Sequence, residues 1–278
     1  MLLAIDIGNT QTVLGLFEDE QLRHTWRLAS DTARTSDELK AFVTQLFHET
    51  GKVFQQTLAI DAVVVASVVP ALTKVWTELA ESISYRSHGA TILVVDSAIT
   101  KKLNPNIDNP QEAGADRIAN ALAAKELYGA PAIVLDFGTA TNIDVIDESG
   151  SYIGGIISPG LQTSADALFN SAARLPVLDL APPPKVLGTT TKTAVQSGLV
   201  YGEAAKVDTL IRALQNERSM LNTSKLPIIA TGGFASLIAP LISAVTHTDE
   251  QLTLKGLRLI AEKYTADPDS EVEESVHA

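Results

Sequence analysis

Two short segments of the sequence share a pattern that could bind phosphate groups. Residues 6–10 read Asp-Ile-Gly-Asn-Thr, and residues 136–141 read Asp-Phe-Gly-Thr-Ala-Thr. Each segment follows one apolar run and precedes another, which predicts a strand, a tight turn and a returning strand. The glycine lets the backbone turn closely, so N–H groups and small hydroxyls at the tip can reach a phosphate chain. The sequence therefore predicts two phosphate-binding loops.

The aspartate that opens each segment also predicts a bound cation. A carboxylate would repel a bare phosphate, so we expect a metal ion between the two groups. A single Asp-x-Gly segment would more simply be an ordinary hairpin turn. Two copies, each between apolar strands, instead favour a two-lobed phosphotransferase that holds ATP between duplicated halves.

The strands and helices predicted around these loops also repeat along the chain. Three successive strands are predicted at the start of each half, over residues 2–8, 12–18 and 21–28 and over residues 132–137, 141–147 and 151–157. The other predicted strands are at 62–69, 91–95 and 226–230. The predicted helices begin at Ser36, which is also the expected N-cap, and at Pro70, or cover about 116–127, 160–174, 191–217 and 252–264. The expected order is β-β-β-α-β-α-β in the first half and β-β-β-α-α-β-α in the second. Antiparallel strands followed by helices and buried apolar strands predict an α/β fold with mixed sheets.

Composition and charge exclude several classes of protein. The 278 residues are 45% hydrophobic, enough for a substantial core, and the net charge of −12 argues against a nucleic-acid surface. The absence of cysteine excludes disulfides, thiol nucleophiles and Cys-ligated zinc. The chain lacks the Gly-x-x-x-x-Gly-Lys-Ser/Thr pattern of P-loop kinases. It also lacks a secretory signal pattern and any apolar run near the ~18 residues of a membrane helix, so we expect a soluble, cytoplasmic protein without membrane or nucleic-acid partners.

Six motifs in a fixed order identify a family. They are Asp6-Ile7-Gly8-Asn9-Thr10, Gly114-Ala115-Asp116-Arg117, Asp136-Phe137-Gly138-Thr139-Ala140-Thr141, and the segments 154–160, 231–233 and 252–257. Together they resemble type III pantothenate kinase, and the resemblance runs from residue 1 to about residue 264. Each motif alone is weak, whereas six in order are highly specific.

This resemblance implies a fold of the acetate kinase, sugar kinase, Hsp70 and actin superfamily. That fold has two duplicated ribonuclease-H-like domains with mixed β-sheets flanked by helices, and an ATP cleft between them. The expected boundaries are residues 1–115, residues 116–265 and an acidic, disordered tail over 266–278. The implied reaction is ATP-dependent phosphorylation of pantothenate to 4′-phosphopantothenate, the first step of coenzyme A synthesis. The resemblance further implies Mg²⁺, a monovalent cation (K⁺ or NH₄⁺) and a homodimer whose interface helps to form the substrate pocket.

On the substrate side, the resemblance makes Asp116 the catalytic base and Arg117 a contact for the pantothenate carboxylate. A carboxylate suffices as base because phosphoryl transfer has a loose transition state, and a planar guanidinium matches a carboxylate in bidentate fashion. The alternatives are a helix N-cap for Asp116 and a surface salt bridge for Arg117. The other implied substrate-binding residues are Gly114, Ala115, Asn109 and Thr191. Thr191 would reach the partner's site across the dimer interface or, alternatively, cap the helix that it begins.

On the nucleotide side, the resemblance puts Asp6 near Mg²⁺ and the γ-phosphate, and Asp136 near the monovalent cation. The implied ATP and phosphate contacts are Asp6, Gly8, Asn9, Thr10, Gly138, Thr139, Thr141, Thr231, Gly232 and Gly233. One position departs from the family pattern, because Asn142 stands where a second threonine is common. Asparagine keeps a donor there but loses the compact hydroxyl.

Three functions are compatible with these residues. The first is an active pantothenate kinase. The second is another kinase or phosphatase on the same fold, because phosphate loops do not fix the substrate. The third is an accessory or regulatory protein without kinase activity. The Gly-Ala-Asp-Arg segment favours the first function over the second, and the intact carboxylates of Asp6, Asp116 and Asp136 favour it over the third.

Overall fold

The computed structural model describes residues 1–54, 58–87, 89–103, 105–172, 175 and 177–265. Its strands are β1 (Leu2–Ile7), β2 (Gln11–Glu18), β3 (Gln21–Ala29), β4 (Ala62–Ser67), β5 (Thr91–Val94), β6 (Ala132–Phe137), β7 (Ala140–Ile146), β8 (Tyr152–Pro159), β9 (Ile228–Thr231) and β10 (His247–Thr248). Its α-helices are α1 (Ser36–Phe54), α2 (Pro70–Arg86), α3 (Ser97–Lys102), α4 (Ala115–Tyr128), α5 (Leu161–Ser171), α6 (Thr191–Gln196), α7 (Gly202–Glu217), α8 (Ala235–Ile238) and α9 (Leu252–Thr265).

The strands form two five-stranded sheets with the same topology. Their orders are β3-β2-β1-β4-β5 and β8-β7-β6-β9-β10, so each central strand lies between an antiparallel hairpin and two parallel strands. Strand β4 reads Ala-Val-Val-Val-Ala-Ser with a fully buried centre, as expected for a parallel strand covered on both faces. The repeated order confirms the expected α/β fold with two duplicated mixed sheets.

Each sheet has its own hydrophobic core. In the first, alternate residues of β1 and β4 pack with Leu39 and Val43 of α1 and with Leu72 and Trp76 of α2. In the second, alternate residues of β6, β7 and β9 pack against α5, α7 and α8. The period-2 alternation of the strands and the helical spacing of the apolar residues produce these faces.

The described chain divides into two compact units that are discontinuous in sequence. One unit contains Met1–Ile99, Gly114–Ala119 and the residues from Leu254 onward, and the other contains Thr100–Ala113 and Asn120–Thr253. The domain boundary expected after residue 115 remains a prediction. The expected acidic tail, residues 266–278, lies outside the described residues.

Three details differ from the sequence-based expectation. The second sheet has a fifth strand, β10, which was missed because two exposed residues carry no detectable periodicity. The expected helix over 191–217 is interrupted, because the five residues Ser197–Tyr201 form a π-helical turn between α6 and α7. Helix α1 begins with a capping box between Thr35 and Glu38, so Thr35, and not Ser36, is its cap.

Candidate active site

The first expected phosphate loop is the connection between β1 and β2. Gly8 donates its N–H to the carbonyl oxygen of Gln11 at 3.0 Å, which closes the turn. Asn9 and Thr10 are exposed at its tip, whereas Asp6 is half-buried near the end of β1. A Cβ atom at Gly8 would lie only 3.0 Å from the Gln11 carbonyl oxygen, so glycine permits this close approach.

Ser30 supports this loop from the end of β3. Its hydroxyl donates to the Gly8 carbonyl oxygen at 2.6 Å and lies 2.9 Å from the hydroxyl of Thr12. Its backbone N–H donates to the Thr10 carbonyl oxygen at 3.0 Å. Ser30 could not be identified from the sequence, because nothing local to it signals a contact across 22 residues. These bonds hold the backbone of the loop in place.

The second expected loop joins β6 and β7 and has a tip of two residues, Gly138 and Thr139. Gly138 donates its N–H to the carbonyl oxygen of Ala140 at 3.0 Å, and Thr139 is exposed. The Thr139 carbonyl oxygen accepts the N–H of Gly160 at 3.1 Å and the hydroxyl of Thr163 at 2.6 Å. A Cβ atom at Gly160 would collide with the carbonyl oxygens of Gly138 and Thr139, so only glycine fits beneath this loop.

Strand register shows which residues of the two loops correspond. Ile7 lies opposite Thr12, and Phe137 lies opposite Thr141, so Thr141 is the counterpart of Thr12 and not of Thr10. Both of these threonines are buried, and Thr141 is only 1% exposed. The Thr141 hydroxyl donates to Oε1 of the buried Glu203 at 2.7 Å. The phosphate contact expected for Thr141 remains a prediction, and its hydroxyl already has an internal acceptor.

Asp136 lies in a row of oxygen-bearing residues across the second sheet. Asn142 on β7 and Thr231 on β9 stand directly opposite it, so their side chains leave the same face of the sheet. The Asn142 Oδ1 atom is buried and has no hydrogen-bond partner among the described residues. Oxygen donors of this kind suit a hard cation, so these side chains fit a monovalent ion bound at Asp136.

The expected nucleotide motif at the end of β9 has two different parts. Gly232 has φ +90°, and a Cβ atom there would collide with Asp136 Oδ1 and with the Phe137 backbone. Thr231 beside it is buried. Gly233 has open space around its Cα and is exposed. Gly232 therefore packs against Asp136, whereas the backbone of Gly233 is accessible to a ligand.

Asp116 stands in the first turn of α4. Its Oδ1 accepts the backbone N–H of Arg117 at 2.8 Å. Burial raises the pKa of Asp116, and the N–H and the positive charge of Arg117 partly oppose that rise. A Cβ atom at Gly114 would collide with Oδ1 of Asp116, and Ala115 between them is buried. Glycine at position 114 thus makes room for the carboxylate.

The structure places the other two expected substrate residues on the surface. Asn109 is exposed and donates its side-chain N–H to Glu112 at 2.7 Å. Thr191 is the exposed first residue of α6, but the N-cap is Thr190, which forms a capping box with Thr193. The alternative role of Thr191 as the cap was therefore wrong by one residue. Its expected role at a dimer interface remains a prediction.

Among the described residues, no group of three or more His, Cys, Asp or Glu side chains could hold a metal ion. Magnesium does not require such a group, because it binds through one or two carboxylates together with substrate phosphates and water. The half-buried Asp6 beside the exposed loop tip fits that kind of site. None of the described helices is long and apolar enough to cross a membrane.

Comparison with known proteins gives a consistent result. Residues 2–213 match the sequence model of the type III pantothenate kinase family. The chain is 43% identical over 265 residues to a type III pantothenate kinase of Moorella thermoacetica, covering 95% of this chain and 100% of that one.

Two solved structures extend the comparison to the fold. One is a conserved protein assigned to the Baf family of transcriptional activators from Campylobacter jejuni, at 17% identity and a TM-score of 0.55, covering 95% and 99% of the two chains. The other is MreB 5 of Spiroplasma citri bound to AMPPNP, at 10% identity and a TM-score of 0.53, covering 96% and 98%. At such identities the likeness concerns the fold alone, and it confirms the expected α/β fold.

Proposed function

Because this chain belongs to the type III pantothenate kinase family, we propose that it transfers the γ-phosphoryl group of ATP to pantothenate. The product is 4′-phosphopantothenate, and the reaction opens coenzyme A synthesis. The single observation that carries this proposal is the family match over most of the chain, which includes the Gly-Ala-Asp-Arg segment. We place the enzyme in the cytoplasm, where ATP is supplied.

Asp116 is the proposed base for the acceptor hydroxyl. As the hydroxyl oxygen of pantothenate forms its bond to the γ-phosphorus, the bond from that phosphorus to the β,γ-bridging oxygen breaks and ADP leaves. The hydroxyl proton passes to the Asp116 carboxylate. Its raised pKa supports this role, because the buried carboxylate binds a proton more readily than a free one. The backbone N–H of Arg117 donates to Oδ1 of Asp116 and so holds this carboxylate in one orientation.

Arg117 is the proposed partner of the pantothenate carboxylate. Its planar guanidinium can donate two parallel hydrogen bonds to a carboxylate, which fixes both the position and the orientation of the substrate. Arg117 follows Asp116 directly in α4, so one helical turn would orient the substrate and accept its proton.

The two loops are the proposed phosphate contacts. Their exposed tip residues, Asn9 and Thr10 in the first and Thr139 in the second, offer N–H groups and hydroxyls. Asp6 would hold Mg²⁺, which supplies positive charge to the phosphate oxygens when it is bound. Accessible backbone at Gly233 would accommodate the nucleoside.

Asp136 is the proposed ligand of a monovalent cation, K⁺ or NH₄⁺. The buried Oδ1 of Asn142, which lacks a hydrogen-bond partner among the described residues, supports this assignment. A cation there would satisfy that oxygen, whose burial is otherwise unfavourable.

The enzyme is proposed to act as a homodimer, with Thr191 reaching the partner's substrate. In support, large apolar side chains are exposed shortly before Thr191, among them Val186 and Leu187, which is 81% exposed. A contact with another protein would cover such exposed apolar side chains.

An acceptor panel tests the function. ADP release from Mg-ATP would be measured in K⁺ buffer with pantothenate, N-acetylglucosamine, acetate or no acceptor. Of these acceptors, we expect only pantothenate to support turnover. Turnover with a sugar or acetate, and none with pantothenate, would assign a different kinase activity. No turnover with any acceptor from the folded protein would favour an accessory role.

A further inference from the structure

We propose that Asn120 is a positioning residue for Asp136 and that Thr253 sets the orientation of the Asn120 amide. This inference rests on the proposed role of Asp136 as a cation ligand. The Asn120 Nδ2 atom donates to Asp136 Oδ2 at 3.4 Å, and the Asn120 Oδ1 atom accepts the hydroxyl of Thr253 at 2.8 Å. The three side chains thus form one chain of hydrogen bonds from the start of α9 through α4 to the end of β6.

The direction of this chain follows from its chemistry. An ionised carboxylate only accepts hydrogen bonds, so the NH₂ end of the amide must face Asp136. The oxygen end then faces Thr253, whose hydroxyl donates to it. If the amide were flipped, its oxygen would face a carboxylate oxygen of Asp136, and the hydrogen bond from the Thr253 hydroxyl to the amide oxygen would be lost. Thr253 therefore stabilises the one amide orientation that supports the carboxylate.

The position of Asn120 makes a polar side chain unexpected on packing grounds. It is fully buried, and the other six residues of 118–124 are buried Ile, Ala or Leu. A buried amide is unfavourable unless its donors and acceptors are satisfied, whereas an apolar side chain would carry no such requirement. The two hydrogen bonds, to Asp136 and from Thr253, show which groups satisfy the amide at this site.

The second oxygen of Asp136 lies close to Gly232. Gly232 packs so closely that a Cβ atom there would collide with Oδ1 of Asp136. One oxygen therefore meets the Asn120 amide and the other meets the Gly232 backbone. Because Asn120 is a neutral donor, it orients the carboxylate without cancelling the charge that a cation requires.

A matched pair of variants at Thr253 tests the proposal. Thr253→Val removes the hydroxyl at similar size, and Thr253→Ser retains it. The half-saturating K⁺ concentration would be measured from pantothenate-dependent ADP release. Binding of K⁺ would be measured independently from the rise in unfolding temperature that K⁺ produces relative to choline.

We expect Thr253→Val to raise the half-saturating K⁺ concentration about 3- to 10-fold, the size typical of one lost hydrogen bond. The same variant should need correspondingly more K⁺ for a given thermal shift, while the KM for pantothenate stays unchanged. Thr253→Ser, which retains the hydroxyl, should show the wild-type dependence on K⁺ in both the activity and the unfolding measurements. Asn120→Leu should act in the same direction and more strongly, and if it fails to fold the Thr253 pair decides.

Two outcomes would overturn the proposal and are distinguishable. If the wild type responds to K⁺ and Thr253→Val has the same K⁺ dependence with only a lower unfolding temperature, Asn120 and Thr253 are merely structural. If neither the activity nor the unfolding temperature of the wild type responds to K⁺, the proposed cation role of Asp136 fails, and this inference fails with it.

Discussion

The carboxylate of Asp116 occupies the space that a side chain at Gly114 would fill. A Cβ atom on Gly114 would overlap Asp116 Oδ1, the same oxygen that accepts the Arg117 N–H. The glycine of the Gly-Ala-Asp-Arg segment therefore acts on the proposed base directly, by leaving room for it. The backbone of Gly114 is not in the left-handed region. Glycine is therefore required at this position for space and not for its backbone conformation.

Gly114→Ala should move the Asp116 carboxylate and reduce pantothenate-dependent kcat/KM by about 10- to 100-fold, because a catalytic group displaced by about an ångström loses its alignment. The unfolding temperature should change little, since the added methyl group displaces only this side chain. Gly202→Ala is a suitable control, because a Cβ atom there meets nothing within 4 Å and the residue is helical. Wild-type kcat/KM in Gly114→Ala would contradict the account.

Asp116→Asn should retain or increase thermal stability at neutral pH. Burial raises the pKa of Asp116, so the folded chain binds this proton more tightly than the unfolded chain does. Stability therefore falls as pH rises from about 3.9, the ordinary value, through the folded pKa, and the charged carboxylate leaves the fold less stable above it. Asparagine removes that charge and can still accept the Arg117 N–H.

The check is the unfolding temperature of the wild type and Asp116→Asn between pH 4 and pH 8. The difference between the two proteins should grow in favour of the variant as pH rises. A large loss of stability in Asp116→Asn at pH 7.5 would show that the carboxylate stabilises the fold, as a simple helix cap does.

Gly232→Ala should destabilise the fold by about 1–3 kcal/mol, because φ is +90° and the new Cβ would strike Asp136 and the Phe137 backbone. Gly233→Ala, at the next residue, has open space and should change stability little. Urea unfolding of both variants measures the difference. Equal stability of the two variants would mean that the backbone at Gly232 is free to shift.

The fold could be predicted from the sequence, and so could the positions of the carboxylates in the candidate site, because their signals are local. Asp6 and Asp136 each precede a glycine turn between apolar strands, and six local motifs carry the family resemblance. The supporting contacts could not be predicted. Thr253 lies 133 residues from Asn120, and Glu203 lies 62 residues from Thr141, so only the folded chain brings these pairs together.

The equivalence of the two loops was also only partly visible in the sequence. Both read Asp-x-Gly, but the first tip has three residues and the second has two. Because of this one-residue difference, Thr12 lies six residues after Asp6, whereas its counterpart by strand register, Thr141, lies five residues after Asp136. Register depends on pairing across strands, which the spacing of one segment does not reveal.

Tyr128→Phe should make alkaline stability less dependent on pH. The Tyr128 hydroxyl donates to Asp249 at 2.8 Å, and burial together with that bond raises the pKa of Tyr128 to about 12. The stability that this hydroxyl contributes is present below about pH 10, the unfolded pKa, and is lost as pH rises through about 12. Phenylalanine at this position should lower the free energy of unfolding by about 1 kcal/mol at pH 8. It should also remove the loss of stability at high pH that comes from this hydroxyl.

Urea unfolding of wild type and Tyr128→Phe at pH 8, 10 and 11 measures this effect. The two stabilities should converge as pH rises. A constant difference across that range would contradict the assigned role of the hydroxyl.

The proposed role of Asp116 as the base can be tested with two variants that lose the same charge from the same place in a helix. Asp116 and Asp37 are each the second residue of their helix, but Asp37 is exposed. Pantothenate-dependent ADP release by Asp37→Asn should equal that of the wild type, and Asp116→Asn should lose about 100-fold or more in kcat, within the usual range for a general base. Wild-type turnover by folded Asp116→Asn would contradict the account.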